Sequence, residues 1–326
     1  MRKKHLILIP ILVFTLFGFF AKAQIQSTDL VLNISPENPG PNQDVTATLS
    51  SHAINLDNAN ISWALNNQKV MVGIGKKSFS FKMGDIGSSN TLSVTVDTID
   101  GQSILKTITI TPADVDILWE ASDSYTPPFY RGKALVPSQG TFKIVAIPNL
   151  LDQSGKVSAN NLSYLWNKDG SIQTDSSGWG KSYFVFQNSY LDKGNTIDVK
   201  VSNISGSVNA ENQITLQTGN PKIIFYENDP ILGTKWEKAL TDGYQIDTNG
   251  ETLVAEPYFF SPEDISSPNL TFDWSLNGES ITTPDPKNIL SIKPEAGQSG
   301  NATIELNVNN VGTLFQSMTK QISVKF

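Results

Sequence analysis

Two histidines and no cysteine make up the chain's whole stock of imidazole and thiol. His5 stands at the head of an apolar run. That leaves His52, between Ser51 and Ala53, as the imidazole for any serine nucleophile, and no nucleophile-elbow sequence lies near it. The lack of cysteine removes disulfides, thiolate chemistry and Cys/His zinc sites together. Gly178-Trp179-Gly180-Lys181-Ser182 ends like a phosphate-binding loop, but Asp175 occupies the position of that loop's first glycine and strand-forming residues follow. The acidic pairs Asp97 with Asp100, Asp114 with Asp116 and Glu227 with Asp229 lack the spacing of a defined calcium loop. No catalytic residue, metal site or cofactor is expected, and the chain is read as a non-enzyme.

Aromatic side chains are the remaining candidates for binding. Trp179 sits between two glycines, where a ring can serve as a platform for a sugar or a partner, or can pack inward as Ile74 would in the matching Gly73-Ile74-Gly75-Lys76, the second being preferred. Trp119, Tyr125, Phe129, Tyr130 and Trp236 belong to stretches rich in aromatics, proline and glycine. These can line a binding groove or make contacts between domains, the second being preferred. Ligand-binding candidates are therefore Trp119, Phe129, Tyr130, Trp179 and Trp236.

Twenty-four Lys and Arg stand against 31 Asp and Glu, and four of the cations lie before Gln24, so the rest of the chain is more acidic still. Such a balance argues against nucleic acid or an anionic membrane as partner. Residues 1–23 read as a secretory signal peptide, with Arg2-Lys3-Lys4, an apolar run from Leu6 to Phe20 and Ala21-Lys22-Ala23 as the cleavage site. An extracellular or cell-surface protein beginning at Gln24 is expected. The alternative is a membrane anchor over residues 6–21, against which the shortness of the run and Pro10 both count.

The elements that must hold any site are repeated. Asn60-Ile61-Ser62-Trp63-Ala64-Leu65, Asn161-Leu162-Ser163-Tyr164-Leu165-Trp166 and Asn269-Leu270-Thr271-Phe272-Asp273-Trp274 align without gaps. In step with them run Thr91-Leu92-Ser93-Val94-Thr95-Val96, Thr196-Ile197-Asp198-Val199-Lys200-Val201 and Thr303-Ile304-Glu305-Leu306-Asn307-Val308. The repeat is roughly 100 residues, the length of an immunoglobulin-like domain. Period-two alternation makes each element a strand with one buried face, and Asn66-Asn67, Asp169-Gly170 and Asn277-Gly278 mark hairpin turns. The expectation is an all-β chain of three tandem immunoglobulin-like β-sandwiches over 24–112, 113–219 and 220–326.

With Trp166-Asn167-Lys168-Asp169-Gly170, Trp274-Ser275-Leu276-Asn277-Gly278 and Thr91 through Gly101, the units resemble the PKD family of extracellular immunoglobulin-like domains. The resemblance implies this fold, an extracellular setting and no catalytic residues. The expected function is a structural spacer or adhesion module with a protein or glycan partner at the cell surface. Alternatives are a glycan- or peptide-binding protein using the aromatics of the second and third units, or an anchored part of a secretion or pilus assembly.

Overall fold

The computed structural model describes residues 30–152, 155–192 and 194–326. The signal-peptide and anchor expectations fall on residues outside these. Three β-sandwiches follow one another. In the first, β1 (Leu30–Ser35), β2 (Asp44–Ser51) and β5 (Ser78–Lys82) form one sheet in the order β1-β2-β5. The other is β4-β3-β6-β7, from β3 (Asn60–Leu65), β4 (Gln68–Ile74), β6 (Asn90–Asp97) and β7 (Ser103–Ile110). Alternate residues of these strands, Ala47 and Leu49 in one sheet and Ile61, Trp63, Leu92, Val94 and Val96 in the other, are buried.

The second sandwich pairs β8 (Asp114–Ala121), β9 (Thr141–Asn149) and β15 (Tyr183–Gln187), in the order β15-β9-β8, with a larger sheet. A small ladder, β10 (Leu151–Asp152) with β11 (Gly155–Lys156), follows β9. The larger sheet runs β13-β12-β16-β17, from β12 (Ser163–Lys168), β13 (Ser171–Ile172), β16 (Asn195–Ser202) and β17 (Asn209–Leu216), and β14 (Gly178–Trp179) also pairs β12. In the third sandwich the order β19-β18-β21-β24 joins β18 (Lys222–Asp229), β19 (Gly233–Ala239), β21 (Glu251–Tyr258) and β24 (Ile289–Ile292). Its partner sheet, β20-β26-β25-β22-β23, takes β20 (Tyr244–Gln245), β22 (Leu270–Leu276), β23 (Glu279–Ile281), β25 (Asn301–Asn310) and β26 (Ser317–Lys325). The chain is thus all-β, with tandem immunoglobulin-like sandwiches.

The same local chemistry builds each copy. A buried tryptophan, Trp63, Trp166 or Trp274, donates its indole N–H to a backbone carbonyl, that of Lys76 (2.8 Å), Lys181 (2.9 Å) or Lys287 (2.9 Å). Burial of so large a ring needs that acceptor, because an indole N–H left dry and unpaired is costly. The hairpin residues Asn66, Asp169 and Asn277 all lie at left-handed φ (51°, 51° and 52°) and are followed by Asn67, Gly170 and Gly278, also at positive φ. Two successive positive φ values give the primed turn that matches strand twist. Each first turn residue then accepts, through its side chain, the backbone N–H of Thr91 (2.9 Å), Thr196 (2.7 Å) or Thr303 (2.9 Å).

These equivalences correct the gap-free alignment of the first element. Trp63 pairs Val94, Trp166 pairs Val199 and Trp274 pairs Leu306, so Trp63 corresponds to Trp166 and Trp274 rather than to Tyr164 and Phe272. The first copy is displaced by two residues. A two-residue slip preserves which side chains face inward, so alternation alone cannot detect it.

By contacts the chain divides into two compact units. One comprises the segment ending at Ser35 with Thr46–Phe81 and Asn90–Ile110. The other comprises Pro36–Val45, Lys82–Ser89 and Thr111–Phe326, and so holds both the second and the third sandwich.

Candidate functional site

Within the larger unit, the segment 122–140 between β8 and β9 lies as a strap over the outer face of sheet β19-β18-β21-β24. Its neck is closed by Asp123, which accepts the Thr141 backbone N–H (2.9 Å) and hydroxyl (3.1 Å), and by the Ser124 hydroxyl donating to the Leu135 carbonyl (2.7 Å). Tyr125 then pairs with the end of β21 like one more strand residue. Its N–H donates to the Phe260 carbonyl (2.7 Å), and its carbonyl accepts the Phe259 N–H (2.8 Å). The Tyr125 hydroxyl donates to Glu256 (2.6 Å).

Four of the five aromatic candidates fall in or beside this strap. Tyr130 lies edge-on to Tyr258 and Phe259, with ring centroids 5.6 and 5.8 Å apart. Phe129, at a left-handed φ of 66°, stands edge-on to Trp236 (6.4 Å), and Trp236 packs on Tyr226 (5.3 Å). Tyr226 and Tyr258 join hydroxyls at 2.8 Å. Trp119 is different, since it packs on Phe142 (5.6 Å) at the margin of the second sandwich's core and carries the Lys133 ammonium 3.3 Å over its ring. These rings are used on one another, although Phe129 keeps most of its surface in solvent.

Glu256 is 4 % exposed, and the Tyr125 hydroxyl is its one side-chain partner among the described residues. Burial pushes its carboxyl above the ordinary glutamate value. Burial, and then the hydrogen bond to Glu256, push the Tyr125 hydroxyl up as well. A second seam lies beside the strap. Gln316, fully buried, donates to the Ser138 carbonyl (2.7 Å) and the Ser261 hydroxyl (3.0 Å), and accepts from the Ser261 N–H (2.9 Å) and the Asn310 amide (3.2 Å). Gln139 accepts the Leu314 N–H (2.8 Å), and Tyr190 packs on Phe315 (5.2 Å).

Tyr125 belongs to the aromatic stretch expected to make contacts between domains, whereas Glu256, Ser261 and Gln316 were not anticipated as joint residues. The run Leu253-Val254-Ala255 in β21 carries the signal that was available. Successive apolar residues break the alternation expected of a sheet with one wet face, and Leu253 through Pro257 are in fact buried on both sides.

Trp179 stands apart, 51 % exposed and without a ring partner among the described residues. Ile74 occupies the same place in the first sandwich and is also exposed: Trp179 pairs Ser163, and Ile74 pairs Asn60, its counterpart. Inward packing at this position is therefore not what the fold uses it for. Members of the acidic pairs are engaged locally. Asp97 accepts the Ser103 hydroxyl, Asp229 accepts the Ile231 and Leu232 N–H groups, and Glu227 pairs Lys235 at 2.6 Å. No cluster of three metal-ligating side chains occurs among the described residues. His52 is exposed and makes no side-chain hydrogen bond within them.

No protein-family model and no curated protein sequence matches the chain. Solved structures similar to it include the fibronectin(III)-like modules of CbhA from Clostridium thermocellum, at 11 % identity and TM-score 0.29 over 58 % of this chain and 94 % of that one. Three N-terminal domains of the outer capsid protein Hoc of bacteriophage RB49 match at 13 % identity and TM-score 0.26, covering 90 % and 97 %. A bacterial ice-binding adhesin matches at 11 % and 0.23, covering 91 % and 96 %. No helix among the described residues is long and apolar enough to cross a membrane.

Proposed function

We propose that the protein is a non-catalytic, exported structural module of the cell surface, in which the second and third sandwiches act as one stiff segment. The observation that carries this reading is the strap. A flexible linker between domains is short and polar, whereas here nineteen residues, 122–140, are committed to covering a neighbouring sheet with aromatic rings and a buried Tyr125–Glu256 hydrogen bond. Aromatics engaged this way contribute contact area at low entropy cost, and they suit a joint that transmits position rather than one that bends. Nothing in the site supports catalysis: His52, the one imidazole among the described residues, is exposed and unpartnered within them.

The chain has no cysteine, so spin labels can be placed at will. With labels on cysteines at exposed Ser171 and Lys320, pulsed-dipolar spectroscopy is expected to give one narrow distance distribution, and a broad one would overturn the stiff-segment reading. Intact-mass measurement on native protein tests export, with Gln24 expected as the first residue.

A further inference from the structure

The outer face of sheet β13-β12-β16-β17, opposite the second sandwich's core, takes no part in the joint. Strand register fixes its composition. From the β14 side inward, one row reads Trp179, Ser163, Ser202, Asn209; the next reads Leu165, Lys200, Glu211; the third reads Ile172, Asn167, Asp198, Gln213. Residues opposed across antiparallel strands share a face, so Trp179 projects on the same side as Ser163, away from buried Tyr164 and Trp166. Two adjoining clefts of about 480 and 530 Å³ lie along this face and share Leu165 and Lys200. Both are within the range of small-ligand sites.

Three features decide what chemistry fits. First, the Trp179 ring is half exposed with nothing stacked on it. Second, the Ser163 and Ser202 hydroxyls and the Lys200 ammonium make no hydrogen bond to any described residue, although they sit on a rigid sheet where they could be satisfied only from outside. Third, charge is balanced: Lys200 sits opposite Glu211, and Asp198 is held by Gln213, in a chain of net charge −7. A polyanion finds no positive surface to follow here. A protein partner would want a continuous apolar centre, whereas Leu165, Ile172 and Trp179 are separated by hydroxyls and amides. A flat, half-exposed ring beside hydroxyl and ammonium groups that no described residue engages matches a sugar chain, which offers an apolar C–H face to the ring and hydroxyls to the rest.

We propose that this face binds an uncharged, β-linked polysaccharide, with one pyranose stacked on Trp179 and its neighbours lying across Leu165 and Lys200 toward Gln213. Equatorial hydroxyls leave such a pyranose with an axial C–H face flat enough for the indole. The site goes beyond the spacer role and does not depend on it, because none of its residues belongs to the strap.

The test is calorimetry on the full mature chain with cellohexaose, xylohexaose and chitohexaose as probes. At least one is expected to bind. Trp179→Ala should then weaken binding about tenfold or more, the loss of a stacking anchor worth roughly 1.4 kcal/mol or more. Trp179→Phe should restore part of it. The Ser163→Ala/Ser202→Ala pair should cost a further several-fold with the tryptophan intact. Far-ultraviolet circular dichroism and melting of the Trp179 variants check that the fold is retained. Failure of all three probes to bind overturns the proposal, as does binding that survives Trp179→Ala. Loss of binding in Phe129→Ala/Tyr130→Ala with Trp179→Ala unaffected would place the ligand at the strap and would also overturn it. The spin-label distances concern the spacer reading alone, so the two can fail separately.

Discussion

At the residue scale, Glu256 is the group whose chemistry the fold has altered most consequentially. Its carboxyl is buried against one neutral donor, with Tyr258 close enough to feel its charge and Tyr226 and Tyr130 next to Tyr258. Burial holds its pKa above the ordinary 4.5. A glutamate with a raised folded pKa contributes stability that is fully present below its unfolded pKa and is lost as pH climbs through the folded one. The free energy of unfolding is therefore expected to show a decline over that window which Glu256→Gln abolishes. Urea titrations of both proteins across a pH series measure it, and parallel pH curves would refute the assignment. Removing the donor acts in the other direction. Tyr125→Phe leaves a buried carboxyl with no partner and should cost about 1–3 kcal/mol.

At the element scale, the three tryptophan strands show how far a repeat dictates structure. Each buries its indole completely and closes it on a lysine carbonyl 13 to 15 positions later. Trp274→Ala is accordingly expected to cost about 3–5 kcal/mol through the cavity and the lost transfer of the ring. The strap changes where that loss is felt. Because Tyr125, Phe129 and Tyr130 of the second sandwich lie on the third sandwich's sheet, destabilising the third should lower the melting of the second as well. This can be read from the side-chain signals of the second core, such as Phe142 and Phe184, during thermal unfolding followed by NMR. An unchanged second core beside a melted third would show the strap to be energetically idle. Alternation in β12, β16 and β25 made those strands legible from the sequence. It failed at β21, since burial there comes from a segment more than a hundred residues earlier in the chain.

At the scale of the whole molecule, the larger unit owes its cohesion to the strap and to the Gln316 seam. Amides that pair across these contacts should exchange as slowly as core strands rather than as loops. The Tyr125 and Phe259 N–H groups are expected to be protected in hydrogen exchange. They should lose that protection in Phe129→Ala/Tyr130→Ala, while the Trp166 and Trp274 cores retain theirs. Fast exchange at Tyr125 in the unaltered chain would contradict a closed joint.

The sequence by itself determined the repeat, the inward face of the alternating strands and the three hairpin turns, because these follow from local rules of side-chain period and backbone conformation. Its composition likewise removed thiol chemistry and left His52 as the one imidazole outside the N-terminal run. The tertiary structure decided which aromatics meet. Trp119, Phe129, Tyr130, Trp179 and Trp236 look alike in sequence, yet one borders a core, three build or meet the strap and one is left facing solvent. The two-residue displacement of the first copy was settled in the same way, by cross-strand pairing. Both are outcomes of packing between segments distant in the chain, where the free energy depends on which surface arrives opposite a residue and no local pattern encodes it.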